Sequence, residues 1–141
     1  MNNTNLINAL YQNTSMGINA IKKIYPKVRN KNLRDEIKSQ FFNYKRQQNK
    51  CINLMKSDKI SIEKVPVLIK AMTSTGIALN CAKDDSSEHI AEMLIQGTNM
   101  GIIKINQALN RTSHSNDKFV DEAKIMLKKE QLYIDNLKKY L

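Results

Sequence analysis

Residues 6–18 read LINALYQNTSMGI, and residues 90–102 read IAEMLIQGTNMGI. Six of the thirteen aligned positions are identical at an offset of 84 residues. The identical residues are Leu10, Gln12, Thr14, Met16, Gly17 and Ile18, which recur as Leu94, Gln96, Thr98, Met100, Gly101 and Ile102. We interpret the two stretches as one structural unit that is written twice in the chain.

The second halves of the two units also match. Residues 33–55 align with residues 119–141 at an offset of 86, so that Asp35-Glu36 falls on Asp121-Glu122. The change of offset places an insertion between the two halves of a unit, and insertions are tolerated in loops. Each unit is therefore predicted to be two elements joined by a turn.

The apolar residues of both units recur every three or four positions, which is the period of helices that pack against partners. This period predicts an all-α protein with helices near residues 4–28, 32–56, 87–110 and 117–140. Asn30 or Asn32 is expected to cap the second helix, and Asp85 and Ser86 precede the third. Pro26 should bend or end the first helix.

Short loops within the units predict two antiparallel hairpins, in a single domain that covers residues 1–141. The first hairpin spans about residues 4–56, a crossover spans 57–86, and the second hairpin spans about 87–140. A short fifth helix is predicted within the crossover, with Pro66 in its first turn. Its apolar positions are Val65, Leu68, Ile69, Met72, Gly76 and Leu79.

Two duplicated hairpins joined by one long crossover resemble the ferritin-like group of four-helix bundles, in a small uncharacterised bacterial branch that lacks the standard di-iron motif. Members that use two metal ions carry a Glu on helices one and three, and Glu-x-x-His on helices two and four. This chain departs from that pattern. Ser39, Ile125 and Tyr133 stand three residues after Glu36, Glu122 and Glu130, where the motif has His. The resemblance thus implies the fold without the usual oxidase or iron-storage chemistry.

A weaker metal site is predicted at the start of the third helix. His89 and Glu92 are three residues apart, a spacing that lets two helical side chains meet, and Glu88 lies beside them. Imidazole and carboxylate suit zinc, iron or manganese. The pair alone supplies too few ligands, so Asp84, Asp85 or a second subunit would have to contribute. The alternative is a solvated first helical turn with no cofactor.

Glu130 falls on the apolar seam of the fourth helix, aligned with Tyr44 in the second. A carboxylate in a seam is costly unless it is hydrogen-bonded, so we predict a core network in which Glu130 accepts from Tyr44, Gln40 or Gln47. A one-position rotation would instead place Glu130 in water beside two lysines.

Gly17 and Gly101 lie at the same height of helices one and three. Because Gly is unfavourable inside a helix, two roles are considered for this pair. Either the glycines permit close helix approach or make room for a bulky residue such as Tyr44 or Phe41, or they open a ligand pocket.

Charge is distributed unevenly along the chain. The net charge is +10, and residues 1–70 hold 14 Lys and Arg against 4 Asp and Glu. The excess forms a predicted basic patch that could attract nucleic acid, an anionic membrane surface or an acidic protein. A merely solvated basic surface is the alternative. The patch consists of Lys27, Arg29, Lys31, Arg34, Lys38, Lys45, Arg46 and Lys50.

No apolar run suggests a membrane span, and no secretory signal is evident. Cys51 and Cys81 lack a metal-binding spacing, and two such cysteines are expected to stay reduced in the cytoplasm. No phosphate-binding loop or nucleophile–base arrangement supports an enzyme.

The favoured function is a non-enzymatic bundle that acts as an oligomeric or protein-interaction component, with a homodimer expected first. The oligomer is suggested by apolar residues outside the strict seams, which need cover from the fifth helix or another subunit: Leu6, Ala9, Met16, Ile18, Ile90, Met93, Met100 and Ile102. The alternatives are a metal-binding protein with an altered site near His89 and Glu92, and a basic nucleic-acid-associated protein.

Overall fold

The structure, a computed structural model, describes residues 4–62, 84–112 and 117–141. Every regular element in these ranges is helical, which confirms the all-α class and the four long helices. They are α1 (Thr4–Ile24), α2 (Lys31–Ser57), α3 (Ser87–Asn110) and α4 (Lys118–Leu137), and 3₁₀ turns at Tyr25–Lys27 and Lys138–Tyr140 extend α1 and α4. The predicted fifth helix, from Val65 to Leu79, lies outside the described residues.

Side-chain caps fix where three of the helices begin. The Asn30 side chain accepts a hydrogen bond of 3.0 Å from the backbone N–H of Leu33, and Ser86 and Asp117 cap α3 and α4 in the same way. Such bonds satisfy N–H groups that have no partner in the first helical turn. Of the two candidates at α2, the structure selects Asn30, because Asn32 already lies inside the helix.

Asn30→Ala is expected to lower the free energy of unfolding by about 1 kcal/mol, because the Leu33 N–H loses its partner. Asn32→Ala is the matched control and should be neutral or slightly stabilising, since Ala is the better helix former. Urea denaturation of the two variants measures the difference. Equal effects of both substitutions would contradict the assignment of the cap.

Pro26 ends the first helix. Its ring cannot continue the helical hydrogen bonding, so α1 tightens into the 3₁₀ turn and the backbone becomes extended at Val28, where ψ is 119°. The α-helix therefore stops at Ile24, earlier than the predicted residue 28. The resulting turn sets the angle at which α2 returns along α1.

The directions of the helices follow from two layers of core residues. The upper layer joins the end of α1, the start of α2, the start of α3 and the end of α4. The lower layer joins the opposite ends of the same helices. The bundle is therefore up-down-down-up. α2 therefore ends at the lower layer, and α3 begins at the upper layer.

The two hairpins bury matching positions. Leu6, Leu10, Thr14 and Ile21 of α1 are buried, and so are their counterparts at the offset of 84, Ile90, Leu94, Thr98 and Ile105 of α3. Tyr44 of α2 and Glu130 of α4, related by the offset of 86, are both buried as well. The hairpins therefore present equivalent faces to one shared core.

Part of the apolar set that suggests an oligomer is buried in the structure. Leu6, Ile18 and Ile90 belong to the set that is expected to need cover from the fifth helix or another subunit, and all three are buried. α1 and α3 lie side by side in the bundle. Met100 is 51% exposed, and the other members of the set are partly buried: Ala9, Met16, Met93 and Ile102.

Candidate functional site

The predicted basic patch lies on the surface of the first hairpin. All eight of its side chains are exposed, and we call this set the basic face: Lys27, Arg29, Lys31, Arg34, Lys38, Lys45, Arg46 and Lys50. Residues seven apart in a helix return to the same side after two turns. Lys31, Lys38 and Lys45 therefore follow one line along α2.

Two members of the basic face are already paired with carboxylates. Arg29 lies 2.8 Å from Asp85, an exposed pair of little energetic weight. Lys50 lies 2.7 Å from Glu122, whose side chain is only 4% exposed. A buried carboxylate needs a compensating partner, so we assign Lys50 a structural role in holding Glu122.

Arg34 and Lys45 also contact neighbouring groups, neither of them a carboxylate, and three further lysines of the basic face form no ion pair in the described ranges. The Arg34 guanidinium donates to the Val28 carbonyl at 2.8 and 3.2 Å, and Lys45 Nζ lies 5.6 Å from the centre of the Phe41 ring. Across the described ranges, no carboxylate forms an ion pair with the remaining lysines, which are Lys27, Lys31 and Lys38. These three amines are available to an external anion.

An apolar groove lies between the end of α1 and the start of α2, beside the basic face. Its volume is about 320 Å³, near the small end of the roughly 300–1,000 Å³ typical of ligand pockets. The lining residues are Ile21, Lys22, Tyr25, Pro26, Lys38, Phe41 and Phe42. Ile21 is buried at its floor, while Phe42 is 48% exposed. An open apolar concavity with two lysines is suited to binding rather than to acid–base chemistry.

A polar cluster occupies the middle of the core. The Tyr44 hydroxyl donates to Glu130 Oε2 at 2.8 Å, and the Asn13 amide donates to Glu130 Oε1 at 2.7 Å. Of the three predicted donors, the structure therefore places Tyr44 against Glu130. Gln40 instead donates to Glu36 on its own helix. The buried Gln47 amide has no hydrogen-bond partner in the part of the chain that the structure describes.

Burial sets the protonation of this cluster. It raises the pKa of Glu130 from 4.5 to about 7, while the hydrogen bonds from Tyr44 and Asn13 limit the rise. Burial and the nearby Glu130 charge raise the pKa of Tyr44, so its hydroxyl stays protonated and remains a donor. The cluster thus holds a carboxyl that changes charge near neutral pH inside the core.

The two duplicated glycines make room for the donors of this cluster. A Cβ at Gly17 would lie 2.8 Å from the Tyr44 ring, and a Cβ at Gly101 would overlap Oδ1 of Asn13. The interpretation that Gly17 accommodates a bulky residue agrees with this contact. The alternative of a ligand pocket does not, because side chains of the protein fill the space beside both glycines.

The residues of the predicted metal site are not brought together as a set of three ligands. His89 Nδ1 lies 3.9 Å from Glu92 Oε2, and Glu88 is exposed. Glu88 and His89 are consecutive on the helix, and consecutive positions do not face each other. Within the described ranges, no group of three His, Cys, Asp or Glu side chains could hold a metal ion.

Cys51 is unsuited to nucleophilic chemistry. It is fully buried in the lower layer. Burial, with a smaller contribution from Glu122, raises the pKa of its thiol to about 12. The reactive thiolate is therefore scarce at neutral pH.

Sequence reasoning missed three functional or structural residues. Asn13 was missed because it lies beside the seam rather than on it. Lys22 and Phe42 were not assigned to a groove, since the groove depends on the angle between α1 and α2. Its sequence signal is a pair of short segments, Tyr25-Pro26 at the end of α1 and Phe41-Phe42 within α2.

Comparison of the chain with protein-family models, with curated proteins and with solved structures gives no match. None of the helices in the described ranges combines the length and the apolar character needed to cross a membrane.

Proposed function

We propose that this chain is a non-enzymatic helical bundle that acts as a protein-interaction component and binds an acidic partner through its basic face. The observation that supports it is that all eight residues of that face are exposed. Clustered cations raise the association rate of a negatively charged partner and orient it, and Lys27, Lys31 and Lys38 form no ion pair in the described ranges. The described parts of the chain assemble neither a three-ligand metal cluster nor a reactive thiol at Cys51.

The ferritin-like resemblance is part of this proposal. It is supported by the up-down-down-up directions of the helices, which require one long crossover. We propose that the chain keeps this scaffold for its surfaces, in place of metal chemistry. A homodimer also stays a proposal. The exposed apolar side chains that support it lie on the second hairpin, away from the basic face: Met100, Ile103, Ile125 and Leu132.

Charge reversal at Lys31 and Lys38 tests the role of the basic face. Lys31→Glu/Lys38→Glu is expected to weaken binding of a glutamate-rich peptide by about tenfold or more at 0.15 M salt, since opposite charges become like charges. Lys124→Glu/Lys128→Glu changes the net charge equally on the exposed side of α4 and should weaken it less than about threefold. Fluorescence anisotropy measures the affinity of both double variants for the peptide.

Equal losses in the two double variants would contradict a specific basic face and indicate general attraction to a cationic protein. Duplex DNA offers a second probe. If it binds more tightly than the peptide, with a steep dependence on salt that only the Lys31/Lys38 variant weakens, the nucleic-acid alternative replaces this proposal.

A further inference from the structure

We propose that the groove and its lysines form a docking site for an acidic helix of a partner protein, with one bulky apolar side chain of that helix inserted into the groove. The inference rests on the proposed function and deepens it by giving the partner a shape and a residue pattern. Its basis is the position of the groove within the line of lysines on α2.

The groove supplies the apolar half of the recognition. Ile21 closes its floor, while Tyr25 and Pro26 form the wall on the α1 side and Phe42 the opposite rim. Phe42 is 48% exposed, which leaves a large apolar ring in contact with water. Burying such surface against a partner side chain is favourable by roughly 25 cal/mol per Å². The volume of about 320 Å³ fits one or two side chains rather than a larger ligand.

The lysines supply the charged half at helical spacing. Lys38 precedes Phe42 by four residues and Lys45 follows it by three, so all three share one side of α2. At about 1.5 Å rise per residue, the lysines lie roughly 6 Å and 4.5 Å along the axis from Phe42. Lys22, from α1, stands at the groove on the other side. The apolar site is therefore flanked by amines along the helix and across it.

A complementary partner follows from this spacing. Side chains three or four residues apart on a helix are neighbours. A partner helix with one bulky apolar residue and a carboxylate one turn away on each side would match Lys38, the groove and Lys45 together. This is the groove-docking mode of amphipathic helices, in which one apolar anchor gives affinity and flanking charges fix orientation.

The acidic partner helix fits the groove better than two other occupants, a second copy of the chain and a single-stranded nucleic acid. A second copy of the chain would bring its own Lys22 and Lys38 against the same lysines, so like charges would oppose symmetric docking. A single-stranded nucleic acid would need open aromatic faces for base stacking. Phe41 is half-buried, with Lys45 Nζ 5.6 Å from its ring centre and the Phe42 ring 5.5 Å away in a T-shaped contact. Of this pair only Phe42 is exposed, and one ring does not form a stacking platform for successive bases.

The test uses three fluorescein-labelled helical peptides that are identical except at stated positions. The anchor peptide has a central Phe with Glu one turn away on each side, the second has Ala in place of Phe, and the third has Lys in place of both Glu. They are titrated with the wild-type chain, Phe42→Ala, Lys38→Glu/Lys45→Glu and the control Lys124→Glu/Lys128→Glu. Thermal denaturation checks that each variant folds, which is expected for Phe42→Ala because the ring is half exposed.

The wild-type chain is expected to bind the anchor peptide about tenfold more tightly than the Ala peptide, as burial of one aromatic side chain predicts. Phe42→Ala should remove that preference while leaving the affinity for the Ala peptide unchanged. Lys38→Glu/Lys45→Glu should weaken both peptides well beyond the α4 control, and the Lys peptide should not bind.

Each contrary result identifies the step that fails. Equal affinities of the wild-type chain for the anchor and Ala peptides would overturn the groove as a docking site while leaving the basic face intact. Equal losses in Lys38→Glu/Lys45→Glu and the α4 control would overturn the basic face, and with it the proposed function. A single-stranded oligonucleotide that outcompetes the anchor peptide, and loses affinity in Phe42→Ala, would replace the acidic helix by a nucleic acid.

Discussion

Replacing Glu130 by Gln is expected to remove a pH-dependent loss of stability from this protein. The carboxyl has a pKa of about 7 in the folded chain, raised from 4.5 mainly by burial, so the folded state holds the proton more tightly than the unfolded state. Its contribution is fully present below about pH 4.5 and is lost as the pH rises through about 7. The rise in pKa corresponds to about 3 kcal/mol in the free energy of unfolding.

The measurement is the free energy of unfolding of both proteins in urea at pH 4.5 and pH 8. The difference between wild type and Glu130→Gln should shift by about 3 kcal/mol in favour of the variant at pH 8. Asp121→Asn removes one exposed carboxylate from the same helix and controls for the loss of charge. If the free energy of unfolding changes with pH in the same way for wild type and Glu130→Gln, ionisation of Glu130 does not destabilise the folded protein.

Gly17→Ala is expected to destabilise the bundle by about 1–3 kcal/mol, although Ala is ordinarily the better helix former by about 1 kcal/mol. The added Cβ would lie 2.8 Å from the Tyr44 ring, which is closer than packed carbon atoms approach. The ring cannot move away freely, because its hydroxyl is bonded to Glu130 and it packs edge-on against Tyr133 at 5.4 Å. Overpacking of a rigid core therefore outweighs the gain in helix propensity.

The chain contains a matched control for this substitution. Gly97 also lies inside a helix, but a Cβ there would meet nothing within 4 Å, so Gly97→Ala should stabilise by up to about 1 kcal/mol. Thermal and urea denaturation measure whether Gly17→Ala destabilises the protein and whether Gly97→Ala stabilises it. In a Tyr44→Leu background, Gly17→Ala should lose most of its cost. If the cost persists there, the clash with Tyr44 is not its origin.

The helices could be read from the sequence because each has a regular apolar period and a recognisable start. The pairing of Tyr44 with Glu130 could also be expected, since the repeat places them at equivalent positions of two seams that face one core. Asn13 could not, because whether a residue beside a seam reaches the core depends on how closely the helices approach. Here Gly101 permits that approach.

Features that depend on the angle between two packed helices could not be predicted from the sequence. The groove exists because Pro26 turns the chain and α2 returns at an angle that leaves Phe42 partly uncovered. The burial of Glu122 was likewise missed, as Asp121-Glu122 has the composition of an exposed turn. The period places Glu122 near the core, but only the contact with Lys50 at 2.7 Å shows how its charge is tolerated there.

The bond between Tyr44 and Glu130 also determines which hairpins can assemble with each other. The two residues occupy equivalent positions of similar hairpins, yet one donates a hydrogen bond and the other accepts it. Two first hairpins would set Tyr44 against Tyr44 without the carboxylate, and two second hairpins would set Glu130 against Glu130, where ionised carboxylates repel. Since unmatched polar groups in a core are costly, only unlike hairpins pair well. A chain that repeats itself is thereby kept from packing two copies of the same half against each other.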